Sequence, residues 1–246
     1  MTRLVLARPE ARNALSIEVC DAIVAALGEI DRDGEARAVV LAGEGKVFCS
    51  GADFAAVSGP GALDFLPAFE RMLEAVARFR LPVIARIHGA ALGGGLQLAT
   101  VCDFRIAEEE AKLGIPSSRL GIVINFENVQ RLVLQAGLSV AKQVLMTGRT
   151  YTGVEAEVAG LITEAVPSES LDDAVNDLAH SIAALAPLSV QGAKREINAV
   201  ADQMINKADP DTEQQMAALV AEAYASEDLQ EGLAAMAEKR PPRFRG

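Results

Sequence analysis

Hydrophobic positions along the chain follow two patterns. Short apolar runs at 3–7, 36–42 (centred on Ala38-Val39-Val40-Leu41), 82–85 and 104–107 have the length and unbroken apolar character of strands buried on both faces. Between them lie segments with a helical repeat. Ser16 is an N-cap candidate for a helix to about Arg32, and 62–80 places Leu63, Leu66, Phe69, Met72, Leu73 and Val76 on one side. The connection at 8–14 is polar, Gly43-Glu44-Gly45-Lys46 is a turn, and Glu108-Glu109-Glu110 reads as a solvated surface turn. Residues 114–121 cannot be continuous helix, and helical character resumes over 126–135. From Val140 onward the pattern is mainly helical, over 141–147, 153–159, 171–185, 189–205 and 210–238, with one short strand near 161–166. Alternating strands and helices followed by a helical block predict one α/β core with a helical appendage.

The pattern breaks most sharply at 86–103, RIHGAALGGGLQLATVCD, where an apolar run passes through Gly93-Gly94-Gly95 into a second apolar run with helical character. Lacking Cβ atoms, these glycines permit φ > 0 and close approach of a ligand, and the first amides of the following helix have no intrahelical acceptor. Such amides bind a phosphate, a carboxylate or a developing oxyanion; tight helix packing is the structural alternative. The spacing is not G-x-G-x-x-G, and no P-loop lysine follows. At 47–54, VFCSGADF, an apolar segment ends in small residues that leave backbone amides accessible. Cys49 and Ser50 lack the G-x-S-x-G elbow of a nucleophile, and the only histidines are His88 and His180. His88 reads as a loop histidine bonded to backbone, and Arg8 and Arg12 are candidates for phosphate contact.

Half of the 246 residues are apolar, enough for a core without disulfides or metals. Cys20, Cys49 and Cys102 are odd in number and widely spaced, which fits reduced thiols in a cytoplasmic protein. No CxxC pair exists, and no zinc set can be built from two histidines, so no metal is expected. No run of about 18 uncharged apolar residues offers a membrane span. A net charge of −11 argues against a nucleic-acid partner, which needs a basic face.

FCSGADF (48–54) and HGAALGGGLQLATVCD (88–103) together resemble the paired signatures of the crotonase family, the enoyl-CoA hydratases and isomerases. The resemblance runs nearly end to end, through RPEARNAL (8–15), LGIPSSRLGI (113–122), TGRTYTGVEAEVAGLI (147–162) and EGLAAMAEKRPPRF (231–244). It implies a spiral, or superhelix, of ββα units over 1–187 and a helical trimerisation region over 188–246. It also implies assembly as a homotrimer or dimer of trimers, and an acyl-CoA ligand with no cofactor beyond its own coenzyme A. By position, the backbone N–H groups of Ala52 and Gly94 match the oxyanion hole that polarises the thioester carbonyl. Ser50, Ala52, Asp53 and Phe54 match the backbone against adenine and pantetheine, and Arg8 and Arg12 the basic residues near the phosphates. Tyr224 and Lys239 match positions that a neighbouring subunit often contributes.

The resemblance also marks departures. Hydratases carry a glutamate three residues after the oxyanion-hole glycine and another directly after the proline of the later loop; the matching residues here are Gln97 and Ser117. Amide and hydroxyl groups hold a water but do not titrate near neutrality, and general acid–base assistance is worth about 10²–10⁴ in rate. The resemblance therefore implies an acyl-CoA-binding member with hydration weak or lost. Some isomerases place an acid at a point matching Asn125. Glu127, two residues on, is the candidate relocated acid for isomerase, decarboxylase or thioesterase-type enolate chemistry. The structural alternative for Glu127 is a first-turn helix residue paired with Arg131. A non-enzymatic interaction protein with a vestigial pocket is the third reading.

Overall fold

Apolar residues on both faces of each short strand make a parallel sheet covered on two sides the stable arrangement. A computed structural model of the chain describes residues 1–53, 62–204 and 209–245. The strands, in chain order, are β1 (Thr2–Leu6), β2 (Val39–Gly43), β3 (Val83–Ile87), β4 (Ala90–Leu92), β5 (Phe104–Glu108), β6 (Lys112–Gly114), β7 (Thr150–Tyr151) and β8 (Glu164–Val166). The helices are α1 (Ile17–Asp33), α2 (Ala62–Arg78), α3 (Gly94–Thr100), α4 (Phe126–Thr147), α5 (Gly153–Val158), α6 (Leu171–Ala183), α7 (Pro187–Met204), α8 (Pro210–Ala225) and α9 (Glu227–Glu238).

The larger sheet has the order β1-β2-β3-β5-β8 with every pair parallel, Thr2 opposite Val39 and Val39 opposite Val83. A second layer begins with the bridges Leu15–Ala52 and Cys49–Ala91 and continues through β4, β6 and β7. Four successive turns thus run from the larger sheet to the second layer and then to a helix: β1, Leu15, α1; β2, 49–52, α2; β3, β4, α3; β5, β6, α4. This is the ββα spiral expected from the motifs. Alternate strand residues face opposite cores. Val39, Leu41, Val83, Ala85 and Ile87 join the main core with Met72, Leu73 and Leu96, while Ala38, Val40, Ile84 and Ile106 pack against Leu171, Val175, Ala179 and Ile182 of α6.

Helix ends follow the expected local chemistry in α1, where the Ser16 hydroxyl accepts from Val19 N and Gly34 closes the helix at φ 74°. The helical segments predicted at 126–135 and 141–147 are both present and meet at a kink at Gly137 (φ 79°, ψ 165°). Two expectations change. The helix predicted over 210–238 divides at Ser226, whose extended backbone ends α8 while its hydroxyl caps α9 through Leu229 N. Glu108 is not a solvated turn residue: its carboxylate accepts from Gly89 N (2.8 Å) and Ser168 Oγ (2.7 Å), leaving Glu109 and Glu110 exposed. The sequence also hides how the C-terminal helices attach. Buried Lys194 of α7 donates to Asp103 (2.6 Å) and to Leu81 O (3.0 Å), pinning that helix to the start of β3.

Candidate functional site

The glycine cluster sits where the second layer meets α3. Gly93 adopts φ 53°, ψ −122°, a conformation that L side chains avoid, and turns the chain from β4 into the helix. Gly95 lies on the preceding turn of the spiral: a Cβ there would stand 2.9 Å from Cys49 Cβ and 3.0 Å from its carbonyl carbon. A Cβ on Gly51, at φ 106°, would stand 3.3 Å from Gly94 N. The small residues therefore let segment 49–52 and the start of α3 meet backbone to backbone. Arg105, 4% exposed on β5, closes the other end of α3 by donating to Ala99 O (3.3 Å) and Cys102 O (2.6 Å).

This contact leaves two amides unpaired. Gly51 O accepts from Leu15 N, Asp53 N donates to Leu15 O, and Gly93 N donates to Gly114 O. Between them, Ala52 N and Gly94 N have no acceptor among the described residues, and an ideal Cβ on Gly94 would lie 3.4 Å from Ala52 N. Both residues line one cavity of about 550 Å³. Its walls are mostly apolar: Phe65, Leu66 and Phe69 from α2, Ile115 and Leu120 after β6, and the run Ile122-Val123-Ile124.

Most of the candidates named from sequence meet there. Gln97 and Ser117, each 7% exposed, face the cavity, and neither side chain has a hydrogen-bond partner among the described residues. Arg12, Ser50 and Asp53 lie on the same wall, with Ser50 N donating to Arg12 O (3.1 Å). The Arg12 guanidinium has no partner among the described residues. Tyr224 also lines the cavity, with its phenol pKa raised by burial, and it arrives from α8 of the same chain. Val220 on α8 and Leu233 and Met236 on α9 complete that wall, so the helical block covers its own chain's cavity.

Three candidates lie elsewhere. Arg8 is committed to structure, donating to Ala14 O (3.1 Å) and Asp53 (3.2 Å), and does not line the cavity. Lys239 is the left-handed C-cap of α9, exposed and off the cavity. Glu127 is exposed in the first turn of α4 and does not line the cavity. Its expected partner Arg131 instead reaches Glu70 (2.9 Å) and Glu74 (3.2 Å). Phe54 lies outside the described residues.

The cluster around Glu70 gave no local sequence signal, because its acid belongs to α2 and its other members to α4. Asn125 Nδ2 (3.0 Å), Asn128 Nδ2 and Arg131 all donate to the Glu70 carboxylate, and Arg131 also donates to Asn128 Oδ1 (2.8 Å). Cys49 is inert by environment: it is fully buried, and desolvation pushes its thiol up to about 12. His88 is held to backbone, with its ring nitrogens at Gly45 O (3.1 Å) and the Arg86 guanidinium (3.2 Å); burial and that cation lower its pKa. Among the described residues, no group of three His, Cys, Asp or Glu is placed to hold a metal ion, and no helix is long and apolar enough to cross a membrane.

The family model for enoyl-CoA hydratase/isomerase matches residues 1–246. A probable enoyl-CoA hydratase of Mycobacterium tuberculosis is 34% identical over 245 residues, covering 98% of this chain and 93% of that protein. Among solved structures, a methylmalonyl-CoA decarboxylase in complex with 2-nitronate-propionyl-CoA superposes with TM-score 0.89 at 26% identity, covering 99% of this chain and 95% of that one. An enoyl-CoA hydratase/isomerase from Pseudoalteromonas atlantica superposes with TM-score 0.83 at 30% identity, over 99% and 95% of the two chains. With its ββα spiral and its apolar cavity bordered by two unpaired amides, this chain belongs to the enoyl-CoA hydratase/isomerase family of the crotonase superfamily.

Proposed function

We propose that the chain binds acyl-CoA thioesters, holding the thioester oxygen between the amides of Ala52 and Gly94, and that its enoyl-CoA hydration is weak or lost. The observation that carries this reading is the pair of unpaired amides, with an ideal Cβ on Gly94 3.4 Å from Ala52 N, on a cavity where the two positions matching the hydratase glutamates are the neutral Gln97 and Ser117. Each well-placed donor of this kind contributes roughly 2.7–4 kcal/mol when charge develops on the oxygen. Gln97 and Ser117 hold a water or a ligand oxygen but exchange no proton near neutral pH. Arg12, with no protein partner among the described residues, is the cation for the coenzyme A phosphates, and coenzyme A enters as part of the ligand with no separate cofactor. The exposed stripe Ile197, Val200 and Met204 on α7 supports assembly as a trimer or dimer of trimers, and the three reduced thiols a cytoplasmic location.

A second reading draws on the methylmalonyl-CoA decarboxylase likeness. Loss of carbon dioxide from a malonyl-type thioester breaks the bond from Cα to the carboxyl carbon. Its electron pair passes into an enolate held by the two amides, and water then protonates Cα. That reaction needs no carboxylate base, so Gln97 and Ser117 are compatible with it. Glu127 takes no part in either reading, because it stands off the cavity.

Thermal unfolding with and without butyryl-CoA, followed by crotonyl-CoA and methylmalonyl-CoA turnover, tests both readings. A raised Tm with slow crotonyl-CoA hydration, and a gain of hydration in Gln97→Glu/Ser117→Glu, is the expected outcome. Brisk hydration by the unmodified chain refutes the loss of turnover, and decarboxylation would select the second reading. No Tm shift with any acyl-CoA sinks both and leaves an interaction protein with a vestigial pocket.

A further inference from the structure

Arg105 is a buried cation to which the fold gives no anion. It stands on β5 at 4% exposure, and no carboxylate among the described residues lies within ion-pair reach of it. The acid two residues away, Asp103, is held by Lys194 (2.6 Å) and Val83 N (2.7 Å). Main-chain carbonyls surround the guanidinium instead: Nη1 donates to Cys102 O (2.6 Å) and Ala99 O (3.3 Å), and Nε to Leu161 O (3.1 Å). Burial lowers its pKa, yet arginine keeps its proton near neutral pH. Leaving water is costly for an ion, and buried charges are ordinarily paired. Neutral donors satisfy helix-end carbonyls without that cost, so the hydrogen bonds alone do not account for a charge here. Ala99 belongs to α3, whose first residue, Gly94, supplies one of the two unpaired amides on the cavity. Seven residues at about 1.5 Å each, with a hydrogen bond at either end, place the guanidinium roughly 15 Å from an oxygen held between Ala52 N and Gly94 N. The intervening residues of α3, Gly94 to Ala99, are all buried, so little water screens the two ends from each other.

We infer that Arg105 is a positioning residue for the thioester site, its charge favouring the enolate of a bound acyl-CoA over the neutral ligand. This inference rests on the acyl-CoA reading above. The carbonyls at the C-terminal end of α3 carry partial negative charge, which opposes an anion at the other end of so short a helix. The guanidinium cancels that charge and leaves a net positive one. At roughly 15 Å, with an effective dielectric of about 20, one unit charge changes the ratio of enolate to neutral ligand by about sixfold. Lysine at this place keeps the charge and loses carbonyl bonds, whereas glutamine keeps a donor and loses the charge. The two substitutions therefore separate the electrostatic role from the cap.

The test uses acetoacetyl-CoA, a thioester whose neutral and enolate forms differ in ultraviolet absorbance, bound at fixed pH to the unmodified chain, Arg105→Lys and Arg105→Gln. Tm and butyryl-CoA affinity are recorded for each. In the unmodified chain the bound probe holds a larger share of enolate than the free probe. Arg105→Lys keeps that ratio to within about twofold and Arg105→Gln lowers it about sixfold, although both lower Tm through lost carbonyl bonds and neither changes butyryl-CoA affinity by more than about twofold. A ratio unchanged in Arg105→Gln reduces Arg105 to a helix cap and overturns the inference. An equal fall in both variants assigns the effect to geometry rather than charge and overturns it also. Should Arg105→Gln not fold, the other two chains decide: retention of the ratio in Arg105→Lys at a lowered Tm supports the inference, and its collapse there overturns it. A bound ratio equal to that of the free probe in the unmodified chain overturns the inference without touching the acyl-CoA reading. Failure of both thioesters to bind refutes the acyl-CoA reading itself.

Discussion

Gly95→Ala sets helix propensity against packing, and the two predict opposite signs. Alanine is favoured over glycine inside a helix by about 1 kcal/mol, so propensity alone predicts a stabilised α3. The structure predicts the reverse. The added methyl would stand 2.9 Å from Cys49 Cβ and 3.0 Å from its carbonyl carbon, and closer still to the carbonyl oxygen. Carbon pairs sit comfortably at about 3.5–4.0 Å, so the two turns of the spiral must separate by roughly 0.5–1 Å. Overpacking of this kind costs about 1–3 kcal/mol, and a backbone neighbour puts it at the upper end. Less the propensity gain of about 1 kcal/mol, a net loss of about 2 kcal/mol lowers Tm by roughly 4–8 °C in a chain of this size. The same displacement separates the amides of Ala52 and Gly94, so the Tm increase that the proposed acyl-CoA binding predicts for saturating butyryl-CoA shrinks as well. Cys49→Ala removes only the sulfur and leaves both the Cβ and the carbonyl in place, so the double variant Gly95→Ala/Cys49→Ala does not recover the loss. Differential scanning calorimetry of the three variants, with and without ligand, decides the matter. An unchanged or raised Tm in Gly95→Ala with a full ligand response would refute the claim that close backbone contact builds the site.

Two further predictions concern the helical block. Lys194→Met leaves the Asp103 carboxylate without its cation in a site where Lys194 is 8% exposed; Asp103 keeps Val83 N and some exposure, so the loss falls at the lower end of about 3–5 kcal/mol. Chemical denaturation measures it, and adding Asp103→Asn should recover part of the loss; fully additive effects would show that the two do not act as a pair. Glu231, held down to about 2 by the Arg240 guanidinium and then by Arg243 N, contributes stability that is present above its ordinary 4.5 and is lost as pH falls towards 2. The hydrogen-exchange protection factors of residues 239–245, measured against the intrinsic rate at each pH, should therefore fall over that window, and Glu231→Gln should show the low protection already at pH 6; equal protection of the two chains at pH 6 counts against the anchor.

The sequence made the larger sheet legible because its strands are continuous apolar runs whose burial on two faces needs no partner information. The smaller strands β4, β6 and β7 escaped, since two or three residues beside glycines carry no period. Ser226 divides the helix predicted over 210–238 for a related reason: it acts through local dihedral angles that apolar spacing does not encode. At the cavity, motif order located Ala52, Gly94, Gln97 and Ser117, all of which meet there. Charge was the poorer guide. Arg8 and Glu127 look available in sequence, yet one is spent on Ala14 and Asp53 and the other faces solvent. Lys194 with Asp103, and Glu70 with Asn125, Asn128 and Arg131, are long-range pairings that only the fold brings together.

The donors at Ala52 and Gly94 belong to the main chain, and this bears on how such a protein changes over time. A point substitution cannot delete either N–H group unless it introduces proline, whereas Gln97, Ser117 and Asn125 are each one codon from a different chemistry. Drift can therefore change the polar side chains on the cavity wall while both main-chain donors are inherited intact with the spiral.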